Sequence, residues 1–151
     1  MLTAIKNSKI DITSEKSTRE LAEKLTSYFN GGEYIFLYGE MGVGKTTFVK
    51  YFINKFYTNE KLELSEVTSP TFNLLNEYKT KNFNIKHYDL YRIKNSLEIK
   101  DLDIFDMNNQ TITLVEWPQI LENNFKVKSI DLLFAYENKL KNRTVQIKGL
   151  N

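Results

Sequence analysis

Eight consecutive residues, Gly39-Glu40-Met41-Gly42-Val43-Gly44-Lys45-Thr46, fit the pattern G-x-x-x-x-G-K-[ST], and Thr47 follows them. Glycines let a chain turn so that successive backbone N–H groups face one anion, and a helix start behind them adds partial positive charge. In that setting Lys45 reaches the β- and γ-phosphates and the Thr46 hydroxyl ligates Mg²⁺. The flanks decide whether the string is more than a glycine-rich turn. Tyr34–Tyr38 reads as a buried strand, and Phe48, Val49, Phe52, Ile53 and Phe56 read as the inward face of a helix. A nucleoside triphosphate is the expected ligand.

A phosphate loop of this kind needs an acidic group at the end of a neighbouring strand. Glu116 directly follows the apolar run Thr111–Val115, a glutamate where aspartate is usual. Asp89 ends the run Phe83–Asp89, with His87 and Tyr91 on its face by the two-residue period. Glu116 is assigned to the Mg²⁺ shell and Asp89 to a second metal carboxylate or the water-orienting group. The sequence leaves an exchange of these roles open. Thr68-Ser69-Pro70-Thr71-Phe72 precedes a strand, and Thr71 is expected to sense γ-phosphate and metal as switch loops do, with Ser69 adding an N–H or hydroxyl. Arg92 has two readings, neutralising transition-state charge or pairing with Glu98 or Asp89. His87 reads as a structural histidine and Trp117, before Pro118, as a packed anchor.

The remaining elements must position these groups. Residues 17–29 predict an amphipathic helix, with Ser17 and Glu20 at capping-box spacing and Gly31 as a stop. Phe72–Tyr78 and Phe83–Asp89 predict a hairpin turning at Lys79–Asn82. Leu97–Phe105 reads as helical, and Ile130–Tyr136 and Arg143–Ile147 as closing strands. The expectation is an α/β fold, a single P-loop NTPase-like domain over residues 1–151 with a mixed central sheet flanked by helices.

Composition narrows the function. With no cysteine, thiol catalysis and zinc ribbons are excluded, and one histidine excludes His-pair metal chemistry. Twenty-one basic against 19 acidic residues give +2, too little for strong nucleic-acid binding by itself. No run approaches the roughly 18–20 apolar residues of a membrane span, and Met1–Asp11 lacks the apolar core of a signal peptide. A cytoplasmic setting without membrane association is expected.

Several separated strings together resemble one family. They are L-Y-G-E-M-G-V-G-K-T-T-F at 37–48, S-P-T-F at 69–72, N-E-Y at 76–78, H-Y-D-L-Y-R at 87–92 and V-E-W-P at 115–118. In order, spacing and total length they resemble TsaE, the small bacterial ATPase family required for threonylcarbamoyl-adenosine modification of tRNA. The resemblance implies an ATPase of weak intrinsic activity that works with TsaD and TsaB, the pair that transfers threonylcarbamoyl to adenosine 37 of ANN-decoding tRNAs. Hydrolysis would serve turnover of that complex, and tRNA would be reached indirectly. It further implies that Thr46 and Glu116 hold Mg²⁺ with Asp89 beside them, and that Ser14, Glu15 and Thr18 approach the base. Met41 departs from the family's leucine, and Leu97-Glu98-Ile99-Lys100-Asp101 lacks the family's glycine.

Two other readings share the same loop. A small-molecule or nucleoside kinase usually needs an arginine-bearing lid, and the chain holds only Arg19, Arg92 and Arg143. A nucleotide-gated binding module would use ATP to order a partner surface. A GTPase lacks its N-K-x-D guanine-reading motif here.

Overall fold

The computed structural model describes residues 9–70, 72–106, 108–121 and 127–150. Seven strands form one sheet: β1 (Lys9–Asp11), β2 (Tyr34–Tyr38), β3 (Leu75–Lys79), β4 (Asn84–Asp89), β5 (Thr111–Glu116), β6 (Ile130–Glu137) and β7 (Asn142–Lys148). Their spatial order is β1-β7-β6-β2-β5-β4-β3. The inner strands β6, β2, β5 and β4 run parallel, whereas β3, β7 and β1 add antiparallel pairings at the two sides. The mixed α/β architecture expected from the sequence is present.

Alternation along β2 explains how the core divides. Ile35 and Leu37 face one layer, Tyr34 and Phe36 the other, and all four are buried. The first layer is covered by the helices α1 (Glu15–Leu25) and α2 (Lys45–Asn59). Phe48, Val49, Phe52, Ile53 and Phe56 of α2 are all buried there, and spacings of three and four residues put them on one stripe. Phe52 meets Phe29 edge-on at 5.1 Å and Phe56 at 5.3 Å, and Phe56 meets Phe83 at 5.3 Å. The second layer is covered mainly by 3-10 turns, Ser96–Leu102 and Pro118–Leu121, with Ile99, Ile104 and Leu121 packed against Tyr88 and Val115. Helices therefore flank the sheet chiefly on one face.

Three boundaries differ from expectation. α1 begins at Glu15 because Ser14, not Ser17, is its N-cap: the Ser14 hydroxyl accepts from Ser17 N–H at 3.1 Å. The Ser14 and Ser17 hydroxyls also lie 2.8 Å apart. β3 begins at Leu75, since Leu74 N–H donates to the Pro70 carbonyl and closes a turn that leaves Phe72 exposed. Residues 97–105 form no α-helix; the 3-10 segment stops at Asp103, whose φ of 53° is left-handed. Aspartate tolerates that conformation better than most residues, which explains how this stretch turns without glycine.

Candidate nucleotide-binding site

The chain leaves β2 at its carboxyl end, between β5 on one side and β6 on the other. Ligands of open α/β sheets bind at such a switch point. The loop from Gly39 to Gly44 fills it and feeds directly into α2. Gly39 has φ 143°, and a Cβ there would stand 2.9 Å from the Phe134 Cβ and carbonyl oxygen. Gly44 caps α2 with φ 113° and contributes no side-chain hydrogen bond. The first N–H groups of α2 thus remain directed at the loop. Val43, fully buried, anchors the turn, while Glu40 and Met41 are exposed.

Lys45 is buried, unusual for a lysine. Its Nζ donates to the Gly39 carbonyl at 2.5 Å and stands 4.0 Å from the Trp117 ring centroid. Burial pushes the ammonium pKa down, and the neighbouring Glu116 and Asp89 charges oppose that shift. Thr46 is exposed and Thr47 half-buried at the next two positions.

Glu116 and Asp89 are register partners at the ends of β5 and β4. Glu116 is buried, with Oε2 2.7 Å from His87 Nε2. With Glu116 as the acceptor this hydrogen bond runs from His87 Nε2–H; Nδ1 is buried without a hydrogen-bond partner among the described residues. Asp89 accepts from Tyr91 N–H at 3.0 Å and from the Ser69 hydroxyl at 3.4 Å. Gly42, Gly44, Lys45, Thr46, Thr47, Ser69, Asp89, Arg92, Glu116 and Trp117 line one cleft of about 320 Å³, joined by Met41, Tyr91 and Arg143.

The residues present suit Mg²⁺. Among the described residues no three Asp, Glu or His side chains cluster as a self-contained metal cage. Mg²⁺ is ordinarily held by one or two carboxylates together with waters and phosphate oxygens. Thr46, Glu116 and Asp89 supply hard oxygen donors on the same cleft as the loop.

Other sequence expectations meet different fates. Thr71 lies outside the described residues. Ser14, Glu15 and Thr18 are not among the residues lining the cleft: Ser14 caps α1, Glu15 accepts from the Tyr51 hydroxyl at 3.0 Å, and buried Thr18 donates to the Ile12 carbonyl at 3.2 Å. Arg92 forms no ion pair among the described residues and lies 4.5 Å from the Phe72 ring centroid. Trp117 is more than an anchor. Its ring contacts Lys45 and lies 4.9 Å from Tyr91, and its φ of 56° is a strained conformation for an aromatic residue. Arg143 was not legible as a cleft residue, because only the β6–β7 pairing brings it there.

The fold and this loop define a P-loop-type α/β protein. The chain belongs to the TsaE family: the family model for "Threonylcarbamoyl adenosine biosynthesis protein TsaE" matches residues 12–145. The tRNA threonylcarbamoyladenosine biosynthesis protein TsaE of Borreliella burgdorferi is 32% identical over 145 residues, covering 93% of this chain and 98% of that protein. Its counterpart in Aquifex aeolicus is 38% identical over 108 residues, 72% of this chain and 74% of that one. The Rickettsia felis protein is also 38% identical, over 74% of this chain but 63% of its own length. In fold, the crystal structure of Bacillus subtilis YdiB superposes with a TM-score of 0.72 at 21% identity, covering 95% of this chain and 86% of that one. Family membership places the chain in tRNA threonylcarbamoyladenosine biosynthesis.

Proposed function

We propose that the chain, as one P-loop domain over residues 1–151, is a Mg²⁺-dependent ATPase supporting modification of tRNA position 37 in the cytoplasm, in complex with TsaD and TsaB. The observation that carries the reading is the pairing of Glu116 with Asp89 at adjacent strand ends, on the same cleft as Lys45 and Thr46. ATP would lie along the run Gly39 to Thr47, its phosphates facing the loop N–H groups and the first turn of α2. Lys45 would exchange the Gly39 carbonyl for phosphate oxygens. Thr46 and Glu116 would hold the metal, with Asp89 beside them. A bound Mg²⁺ would supply charge neutralisation on the phosphates.

His87 fixes the Glu116 carboxylate through Nε2–H, and Tyr91 N–H and Ser69 fix Asp89. On this reading Asp89 would be the second metal carboxylate or the group that orients the attacking water, and Thr71 would report the γ-phosphate. Ser14 and Glu15, exposed at the head of α1, keep the proposed base-side role, with Thr18 holding that turn. Hydrolysis would reset the partner complex, so turnover should rise when TsaD and TsaB are present.

Lys45→Ala is expected to abolish nucleotide-dependent function by removing the cation opposite the phosphates. Mass spectrometry of tRNA nucleosides from cells carrying only that variant is the test. Loss of the threonylcarbamoyl nucleoside supports the reading; undiminished modification overturns it. ATP turnover at background, both alone and with TsaD and TsaB, would remove the ATPase assignment.

A further inference from the structure

The flank of the loop opposite the carboxylates carries a second polar set. β6 and β7 pair antiparallel with Tyr136 directly across from Arg143. Both side chains lean over the loop. The Tyr136 hydroxyl lies 3.3 Å from the place a Cβ on Gly42 would occupy, and Arg143 Nη1 lies 3.9 Å from the corresponding place on Gly44. The Arg143 backbone is held on both sides: its N–H donates to Thr13 Oγ1 at 3.0 Å, and its carbonyl accepts from Ile12 N–H at 2.9 Å. Its guanidinium takes part in no ion pair among the described residues. By contrast, Arg19 is paired with Glu23.

A half-buried arginine without an acidic partner, beside an anion-binding loop, has a definite chemistry. Five donors in a planar fork match the oxygens of a phosphate group. We propose that Arg143 is a phosphate ligand of the bound nucleotide, held over the start of α2 by the β6–β7 hairpin, and that the Tyr136 hydroxyl adds a donor on the same side. The assignment rests on the ATP reading above. It gives the phosphates two protein cations from opposite flanks, Lys45 beside the carboxylates and Arg143 beside Gly44.

Calorimetric titration of the full chain with ATP and with inorganic tripolyphosphate tests this. Arg143→Ala should weaken both ligands by roughly 10- to 100-fold, the range for charge-assisted hydrogen bonds. Arg143→Lys should restore part of the loss, since a point charge replaces the fork. If thermal melting shows that the alanine variant does not fold, Arg143→Gln, which keeps the stem, carries the same expectation. Tyr136→Phe should cost less than either. Unchanged ATP affinity in Arg143→Ala, with wild type binding normally, overturns the Arg143 assignment alone. A loss confined to ATP, with tripolyphosphate unaffected, also overturns it, because Arg143 would then read the nucleoside. A wild-type chain that binds neither ligand overturns the ATP reading and this assignment with it.

Discussion

Beside the phosphate loop, β5 and β4 on one flank and the β6–β7 hairpin on the other contribute through different parts of their strands. Glu116 pairs with Leu37, so β5 stops one residue short of the end of β2, and its last side chain faces the loop. β4 stops level with it at Asp89. β6 instead pairs Leu133 with Tyr38 and continues to Glu137, then returns as β7. Those four further residues, about 13 Å at 3.3 Å each, lift the hairpin past the loop, where Tyr136 and Arg143, one residue from its turn end, overhang it. Parallel strands thus deliver groups at their tips, and an antiparallel extension delivers them from its flank. The tips hold carboxylates, Glu116 buried and Asp89 half-buried, and the overhang holds Tyr136 and Arg143; on the proposed reading this separates groups for hydrolysis from groups for binding.

The sharpest way to break this division is Glu116→Ala. Oriented groups matter most as charge develops in the transition state, so ATP turnover should fall by about 10²- to 10³-fold. ATP affinity, which on the proposed reading rests on the loop, Lys45 and Arg143, should change far less. Single-turnover hydrolysis beside equilibrium binding separates the two. Equal losses in both would mean that Glu116 supports the structure and that the flanks are not divided by task.

Gly39→Ala probes the junction between loop and hairpin and should have the next largest effect. At φ 143° with Phe134 backbone and Cβ 2.9 Å away, an added methyl meets atoms that cannot swing aside. The strain is expected to cost about 1–3 kcal/mol, seen as a lowered melting temperature. Nucleotide affinity should drop with it, because the displaced loop includes the Gly39 carbonyl that seats Lys45. An unchanged melting temperature would show that the loop does not depend on β6 for its shape.

What the sequence disclosed follows the same division. The loop is contiguous, and Glu116 and Asp89 are strand tips, so local pattern and the two-residue period were enough to find them. Arg143 lies about a hundred residues from Gly44, in a strand whose alternation says nothing of what it overhangs. Its position depends on the β6–β7 register and on how far β6 outruns β2. The α1 cap at Ser14 escapes local pattern for a related reason. Ser17-x-x-Glu20 has the spacing of a cap, but the helix starts one turn earlier at Ser14, where Thr18 is buried and bonded to the Ile12 carbonyl. That contact depends on where β1 ends.

His87→Phe gives the smallest expected effect and tests how far the carboxylate tips depend on the strand beneath them. His87 is buried in β4, two residues before Asp89, and its Nε2 hydrogen-bonds the Glu116 carboxylate. Phenylalanine keeps an aromatic ring in that space but removes the hydrogen bond to Glu116. Groups that orient a metal-side ligand typically matter by 10–100-fold, and about tenfold in kcat is expected here, with KM for ATP nearly unchanged. His87→Gln, which keeps an N–H donor, should recover part of the loss, an outcome that packing alone would not produce. A kcat equal to wild type in His87→Phe would show that Glu116 needs no partner from β4. The tip of β5 would then be positioned by its own strand, as Arg143 is by its hairpin.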